Sequence, residues 1–251
     1  MGDPREGWSV ALVASRPMEV AVRTLKGAAW DWAGVPSGPL GWVSTRWVMP
    51  RLHSGIYPVM GAAAQLVPED ELLEVACGSG VFLVEYAGHV RRVAGVDLSD
   101  LQVGLARKRL AARIAAGTAE IVLGDAGELP WPDESFTVVT GMGSFEVFPD
   151  PEKVLAELVR VLRPGGRGVL NIGESVAPGT QTHRILGDSS WVWAEDDVRR
   201  MVEDAGFTDV TIRYVSSAGD SRVLKALNKL SGALGQDLRL ICGTKRPRPS
   251  Q

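Results

Sequence analysis

Cysteine is scarce in this sequence. Only two cysteines, Cys77 and Cys242, occur among 251 residues, so no disulfide framework of the kind found in small secreted scaffolds is expected. This usage favours a reducing, cytoplasmic environment. The early apolar stretch at residues 10–14 is too short for a secretory signal. No apolar run approaches the length of a membrane span, so no membrane partner is expected.

Histidine is also rare, and neither sign of charge dominates. The three histidines, His53, His89 and His183, lack metal-ligand spacing, and no metal site is expected. The 27 Lys and Arg against 30 Asp and Glu give a net charge of −3 and a pI near 5.7. Such a balance argues against a surface that binds nucleic acid. The basic stretch at residues 245–249 is typical of a solvated terminus.

Small residues are concentrated at the end of the segment at residues 72–80, LLEVACGSG, which begins with an apolar run. The run contains Glu74 and leads into a loop of small residues, followed by a segment of helical character. This pattern is typical of a strand that delivers a nucleotide-like ligand to a helix N-terminus, where free N–H groups favour its polar or anionic part. The loop does not match the dinucleotide fingerprint, because Leu83 stands where the third glycine would be.

Further motifs follow in a fixed order. A second strand, VAGVDLS at residues 93–99, ends in Asp97, and a carboxylate there can accept both hydroxyls of a ribose. The motifs GDA at 124–126, LPWPDESF at 129–136 and RVLRPGG at 160–166 come next. Four motifs in register are far more specific than any one alone.

This series resembles the class I S-adenosylmethionine-dependent methyltransferases over about residues 70–215, and within them the small-molecule group called methyltransferase type 11. The pattern of that group reads E/D-x-G-x-G-x-G, V-D-x-S, G-D-A-x-x-L-P-F and R-V-L-R-P-G-G. The resemblance implies an α/β fold, with a Rossmann-like, doubly wound, mostly parallel seven-stranded sheet. It also implies S-adenosylmethionine as cofactor and metal-independent methyl transfer to an O-, N- or C-nucleophile.

The resemblance assigns roles to individual residues. Asp97 is expected on the ribose and Asp125 on the adenine amino group, while the glycine loop approaches the methionine portion through its backbone. Glu74 accepts loop N–H groups or, alternatively, contacts the cofactor ammonium. The complete cofactor set implied is Glu74, Ala76, Cys77, Gly78, Ser79, Gly80, Asp97, Leu98, Asp125, Ala126, Met142 and Tyr57.

Ala76 departs from the family pattern, since it stands where the first glycine is usual. Alanine permits close approach of a ligand if its φ is negative. If the position requires a positive φ, the loop is strained and affinity for the cofactor falls.

The exit of the fourth strand, TGMGSFE at residues 140–146, disfavours several chemistries. It has no N-P-P-Y motif for methylating base amino groups, no Pro-Cys pair for thiolate attack, and no acid at the tip for Mg²⁺. The candidates for substrate binding are Glu146, His183 and Trp191. No catalytic residue is assigned, although His53, Glu146 and His183 are the candidates for a general base.

The expected organisation is an N-terminal helical cap at residues 1–65 and a Rossmann-like domain at 66–251. Strands are expected near 71–75, 92–97, 120–124, 136–140 and 167–172, with a later antiparallel pair. Helices are expected to begin after Ser99 and after Asp150, the second one ending at 164–166, and a further helix is expected at 223–234. The cap is rich in tryptophan, which either packs it on the sheet or lines an aromatic substrate pocket. The connection at 175–193 is expected to be a long loop.

The sequence therefore predicts methyl transfer to a small molecule, by a monomer or homodimer without a nucleic-acid partner. Two alternatives remain open at this point. One is a non-catalytic S-adenosylmethionine-binding subunit, and the other is a methyltransferase acting on protein or nucleic acid. A nicotinamide-dependent oxidoreductase is less favoured because of Leu83.

Overall fold

The computed structural model describes residues 42–43, 46, 55–172, 183–185, 190–216 and 237–247. Within these ranges the chain forms a seven-stranded sheet and a separate two-stranded one. The helices are α1 (Tyr57–Ala64), α2 (Val81–Tyr86), α3 (Asp100–Arg109), α4 (Ala111–Ala115), α5 (Pro151–Val161) and α6 (Glu195–Asp204). The strands are β1 (Glu71–Val75), β2 (Arg92–Asp97), β3 (Ala119–Leu123), β4 (Phe136–Met142), β5 (Leu162–Ile172), β6 (His183–Ile185), β7 (Ser190–Val192), β8 (Phe207–Ser216) and β9 (Asp237–Lys245).

The large sheet has the order β3-β2-β1-β4-β5-β9-β8. The five strands from β3 to β5 are parallel, whereas β9 runs antiparallel to both β5 and β8. The chain adds β2 and β3 on one side of β1 and then crosses the sheet to add β4 and β5 on the other side. The strand order therefore changes direction between β1 and β4. In open α/β sheets, this switch point is where ligands bind, at the carboxyl ends of the strands.

Two helices begin where their capping residues predict. The Ser99 hydroxyl accepts from the Gln102 amide at 3.4 Å to start α3, and Asp150 accepts from the Lys153 amide at 3.0 Å, with Pro151 opening α5. The apolar stripe of α5 packs on the sheet through Leu155 and Leu158, both fully buried.

Two apolar clusters cover the faces of the sheet. One contains α5 and α6 together with Phe145 and Trp193. The other contains α1, α2 and α3, with Tyr57 and Phe82 among its members. The site lies at the carboxyl edge between these layers.

The predicted strands are confirmed, including the antiparallel pair at the end of the chain. Two details of the prediction were wrong. The motif at 164–166 was expected to end α5, but the helix ends at Val161 and the motif lies inside β5. The connection at 175–193 was expected to be a loop, but its described parts form the β6–β7 ladder, because His183 and Ile185 face partners at Val192 and Ser190.

Most of the predicted cap lies outside the described residues, including four of its five tryptophans, His53, and the helix expected at 223–234. Of the cap, the structure describes Trp42, Val43, Arg46 and the segment that contains α1. In the described part of the chain, no helix is long and apolar enough to cross a membrane. The same residues contain no group of three or more His, Cys, Asp or Glu that could hold a metal ion.

Candidate functional site

The loop at residues 76–80 connects β1 to α2 at the switch point of the sheet. Three of its residues have positive φ: Ala76 at 49°, Gly78 at 53° and Gly80 at 71°. Glycine adopts this conformation without strain, but for alanine the left-handed region costs about 1–2 kcal/mol. Ala76 therefore has the positive φ that was expected to strain the loop.

Asp97, at the end of β2, holds this loop in place. One of its carboxylate oxygens accepts from the Gly78 amide at 2.8 Å, and the other accepts from the Ser99 amide at 2.9 Å. The side chain is only 8% exposed. Burial raises the pKa of Asp97, while the two backbone hydrogen bonds lower it. Each oxygen keeps a further lone pair for a ligand hydroxyl.

The expectation of free amides in the loop is wrong for three residues. Besides Gly78, the Cys77 amide donates to the Val96 carbonyl at 3.0 Å, and the Gly80 amide donates to the Cys77 carbonyl at 2.9 Å. The Cys77 side chain belongs to the core cluster beneath the loop. Cys77 thus shapes the loop and does not present its thiol to the cleft.

Gly80 is required by packing as well as by its backbone. A Cβ at this position would lie 2.9 Å from the Cβ of Ala106 in α3. The close contact sets the distance between the loop and α3. Arg109 adds a second tie, because its guanidinium donates to the Ser79 carbonyl at 2.5 Å.

Glu74 lies in β1 and is 2% exposed. Its Oε2 is buried and has no hydrogen-bond partner within the described residues. Burial, and secondarily the charge of Asp97, raises the pKa of Glu74 well above its ordinary value. Because the recorded bonds of the loop amides go to Asp97, Val96 and Cys77, the loop-holding role considered for Glu74 is not found.

Tyr57, the first residue of α1, lies near the same edge. Its ring lies 6.2 Å from that of Phe82, and its carbonyl accepts from the Tyr86 hydroxyl at 3.2 Å. Burial raises the pKa of Tyr57; the charge of Glu74 raises it further, whereas Arg109 lowers it. The phenol therefore lies within the electrostatic influence of Glu74 and Arg109.

The adenine-side candidates differ in exposure. Leu98 follows Asp97 and is 55% exposed, so it offers an apolar surface next to the Asp97 carboxylate. Asp125 is exposed, with one oxygen accepting from the Gly127 amide at 2.8 Å, and Ala126 is buried. Met142, at the end of β4, is half-buried.

The exit of β4 contains a short 3-10 helix, Phe145–Val147. Its Phe145 ring packs edge-on against Trp193 at 6.3 Å and against Phe148 at 6.3 Å. Glu146, within this short helix, is half-buried. For His183 and Trp191 the structure describes only the backbone: His183 lies opposite Val192 in the β6–β7 ladder, and Trp191 lies opposite Arg184.

Two polar residues at this edge were not found from the sequence. Arg239 in β9 is fully buried, and burial lowers its pKa, which Tyr214, Glu195 and Glu146 raise. A single arginine in the apolar run at 238–241 was the available signal. Ser144 is 5% exposed and directly precedes the 3-10 helix; its sequence gave no comparable signal.

Comparisons with known proteins agree with this geometry. A family model described as "Methyltransferase domain" matches residues 73–170. The ubiquinone/menaquinone biosynthesis C-methyltransferase UbiE of Methylobacterium nodulans is 32% identical over 173 residues, which are 58% of this chain and 68% of that protein. The chain belongs to the class I S-adenosylmethionine-dependent methyltransferases. The expected family, fold and cofactor are thereby confirmed.

Other relatives match this chain over only part of their length or at low sequence identity. The arsenite methyltransferase of Halobacterium salinarum is 31% identical over 159 residues, covering 60% of this chain and 40% of that protein. The chain spans less than half of the length of this and two other relatives, with shares of 40%, 41% and 48%. A solved geranyl diphosphate C-methyltransferase from Streptomyces coelicolor A3(2) superposes with a TM-score of 0.61 at 18% identity, covering 84% of this chain and 86% of that one. At this identity the superposition shows the fold alone.

The residues of this methyltransferase fit the cofactor of its family. The buried Oε2 of Glu74 suits a cationic partner such as the cofactor ammonium, because an unpartnered buried carboxylate is costly. Asp97 retains acceptor capacity for ribose hydroxyls, and the exposed Leu98 suits the face of an adenine ring. Gly78 adopts a φ of 53° without strain, which lets the backbone of the loop turn close to a ligand.

Proposed function

We propose that this chain transfers a methyl group from S-adenosylmethionine to a small-molecule acceptor, without a metal and mainly by positioning. The observation that carries the proposal is the placement of Glu74 and Asp97. These two buried carboxylates lie on neighbouring parallel strands, with the loop they flank between them. They present sites for a cation and for a pair of hydroxyls, which are the two polar ends of this cofactor.

The proposed cofactor set is the one implied by the sequence, with three roles made more specific. Glu74 pairs with the cofactor ammonium and Asp97 accepts from the ribose hydroxyls. Cys77 contributes through the shape of the loop and not through its side chain, which lies in the core. Tyr57, buried at the start of α1, is proposed to reach the carboxylate end of the cofactor.

When bound, S-adenosylmethionine supplies a sulfonium methyl group that passes to a nucleophile's lone pair, while the carbon–sulfur bonding pair returns to sulfur. The chain's own contribution is to hold both partners in line and at close approach, which supplies a large part of the rate in such reactions. The aromatic group Phe145, Phe148 and Trp193 excludes water beside the exit of β4. Glu146, His183 and Trp191 remain proposed acceptor-binding residues.

A small-molecule acceptor is supported by the names of relatives, which act in quinone biosynthesis or on arsenite. Residues 1–65 are proposed to form a cap that closes this acceptor site. Removing residues 1–45 is then expected to spare part of the cofactor binding and to stop turnover. Full turnover after that truncation would contradict the cap.

Isothermal titration with S-adenosylmethionine and S-adenosylhomocysteine tests the proposal first. Micromolar binding of both, with no heat from millimolar NAD, is the expected result. Transfer of a labelled methyl group to a panel of quinols, phenols, prenyl diphosphates and arsenite then tests the activity. Cofactor binding without transfer to any of these acceptors would favour the non-catalytic alternative.

A non-catalytic cofactor-binding protein is the second candidate, and the strained Ala76 favours it. The fold is compatible with other chemistry, because the [4+2]-cyclase SpnF superposes with a TM-score of 0.63 at 20% identity, covering 76% of this chain and 81% of that one. Two other features support the methyltransferase instead. The Asp97 carboxylate accepts a hydrogen bond from the loop, and Glu74 is buried beside it.

A further inference from the structure

Ser144 carries a buried hydroxyl for which the described part of the chain offers no hydrogen-bond partner. It follows Gly143, whose φ of 58° turns the chain sharply away from the end of β4. The residue is 5% exposed. A buried hydroxyl without a partner costs about 1–3 kcal/mol, and the large majority of buried polar side-chain atoms have one, so the Ser144 hydroxyl needs an explanation.

The hydroxyl lies over the end of the central strand. A Cβ added to Gly141 would be 3.8 Å from the Ser144 Oγ. Gly141 pairs with Val75 of β1 on one side and with Leu170 of β5 on the other. The Ser144 oxygen therefore lies beside the carboxyl end of β4, where β1 and β5 flank that strand.

A second orphaned oxygen lies on the strand next to Ser144. The Oε2 of Glu74, one residue before Val75, is also buried and without a partner in the described ranges. By contrast, the buried Thr140 hydroxyl, on β4 itself, donates to the Leu73 carbonyl at 3.2 Å. The Thr140 hydroxyl, unlike that of Ser144, is therefore already satisfied within the sheet.

We propose that the Ser144 hydroxyl contacts the reacting atom of the acceptor, next to the methyl group being transferred. This inference rests on the proposed function and makes it more specific. As a hydrogen-bond acceptor, Ser144 holds an O–H or N–H nucleophile with its lone pair directed at the methyl carbon. The site then favours hydroxyl or amine acceptors over carbon nucleophiles, which have no such hydrogen to donate.

Sinefungin can test this position without knowledge of the acceptor. It shares the adenosine and amino-acid ends of S-adenosylhomocysteine but carries an amine at the place of the transferred methyl group. A group beside that methyl group therefore affects sinefungin affinity and leaves S-adenosylhomocysteine affinity almost unaffected. The ratio of the two dissociation constants, measured by titration calorimetry, is the readout.

Four proteins are compared: wild type, Ser144→Ala, Ser144→Thr and Thr140→Val. Ser144→Ala is expected to weaken sinefungin about tenfold more than S-adenosylhomocysteine, the effect of one lost hydrogen bond to a charged group. Ser144→Thr retains the hydroxyl and is expected to keep most of the wild-type ratio. Thr140→Val removes a buried hydroxyl that is already satisfied, so it is expected to leave the ratio unchanged.

Thermal unfolding provides a second, ligand-free readout. Ser144→Ala removes an unsatisfied buried group, so the melting temperature is expected to stay the same or to rise. Thr140→Val removes a formed hydrogen bond and leaves the Leu73 carbonyl without it, so its melting temperature is expected to fall. A clear fall for Ser144→Ala would show that the hydroxyl has a structural partner and would overturn the proposal.

The outcomes separate this inference from the function on which it rests. If wild type binds S-adenosylhomocysteine and the sinefungin ratio is unchanged in Ser144→Ala, Ser144 does not face the methyl position and the inference fails. Equal weakening of both ligands also overturns it, because Ser144 would then contact a shared part of the cofactor. If wild type binds neither ligand, the proposed function itself fails.

Discussion

Glu74 and Asp97 are buried at the carboxyl ends of two paired parallel strands, and the charge of Asp97 contributes to raising the pKa of Glu74. Two acids placed so close together in a low-dielectric edge destabilise the protein unless a cation joins them. The pair of buried carboxyl groups is therefore suited to a positively charged ligand. It also makes the stability of the ligand-free protein depend on pH.

The first prediction follows from the direction of the Glu74 shift. The folded chain holds the Glu74 proton more tightly than the unfolded chain, whose pKa is near the ordinary value of 4.5. As pH rises from that value towards the raised pKa, the unfolded chain loses the proton first, so the free energy of unfolding falls. Glu74→Gln lacks this proton and is expected to be increasingly more stable than wild type as pH rises.

Urea unfolding of both proteins, without cofactor, at about pH 5 and about pH 8 measures the effect. Titrating groups that do not interact with Glu74 are common to the two proteins and cancel in the difference. A difference that stays constant with pH would show that Glu74 is already ionised and compensated in the folded state.

The second prediction concerns Asp97. In Asp97→Asn an amide N–H₂ faces either the Gly78 amide or the Ser99 amide, and the charge proposed to accept the ribose hydroxyls is lost. S-adenosylmethionine affinity measured by calorimetry is expected to fall about 100-fold or more. An affinity within a few-fold of wild type would remove the ribose assignment.

Asp70→Asn is the matched control for Asp97→Asn. Asp70 is also a buried aspartate, which accepts from the Val67 amide at 2.8 Å and the Thr137 hydroxyl at 2.7 Å, and pairs with Arg167. It precedes β1 and so lies at the opposite, amino-terminal edge of the sheet. This variant is expected to lower the melting temperature while leaving cofactor affinity unchanged.

The third prediction is a gain of stability at Ala76. Glycine relieves the strain of the positive φ but adds entropy to the unfolded chain, so Ala76→Gly is expected to stabilise by about 0.5–1 kcal/mol. Ala87→Gly is the matched control, since Ala87 has a φ of −57° and gains nothing from glycine. That control is expected to destabilise by about 1–2 kcal/mol in urea unfolding, because glycine adds backbone entropy to the unfolded chain and the buried methyl group of Ala87 is lost. Equal losses in the two variants would show that Ala76 is not strained.

The fourth prediction concerns how α1 is seated. A Cβ at Gly61 would lie 2.1 Å from the Tyr86 ring, so Gly61→Ala must displace either that ring or the helix. Because Tyr57 belongs to the same helix, we expect weaker binding of S-adenosylhomocysteine by calorimetry as well as a lower melting temperature. Gly104→Ala is the control: nothing lies within 4 Å of its added Cβ, and in α3 it is expected to stabilise. Unchanged affinity in Gly61→Ala would separate α1 from the cofactor site.

The sequence predicted the strands well because parallel strands buried on both faces are continuous apolar runs bounded by turn residues. Asp97 was recognisable because an acid directly after such a run must lie at the sheet edge. The starts of α3 and α5 were predictable for a similar reason, since Ser99 and Asp150 cap the helices through local contacts. Errors occurred where strand pairing decides the local structure, as in the β6–β7 ladder and the early start of β5.

The same distinction between local sequence features and tertiary contacts applies to the candidate site. The sequence by itself determined the family, the glycine loop and the two carboxylates, because these features depend on residues adjacent in the chain. Only the tertiary structure decided the sign of φ at Ala76, the partners of Asp97, and the isolation of the Glu74 and Ser144 oxygens. Whether a buried polar atom finds a partner depends on groups that lie far away in sequence, and those become neighbours only when the sheet is assembled.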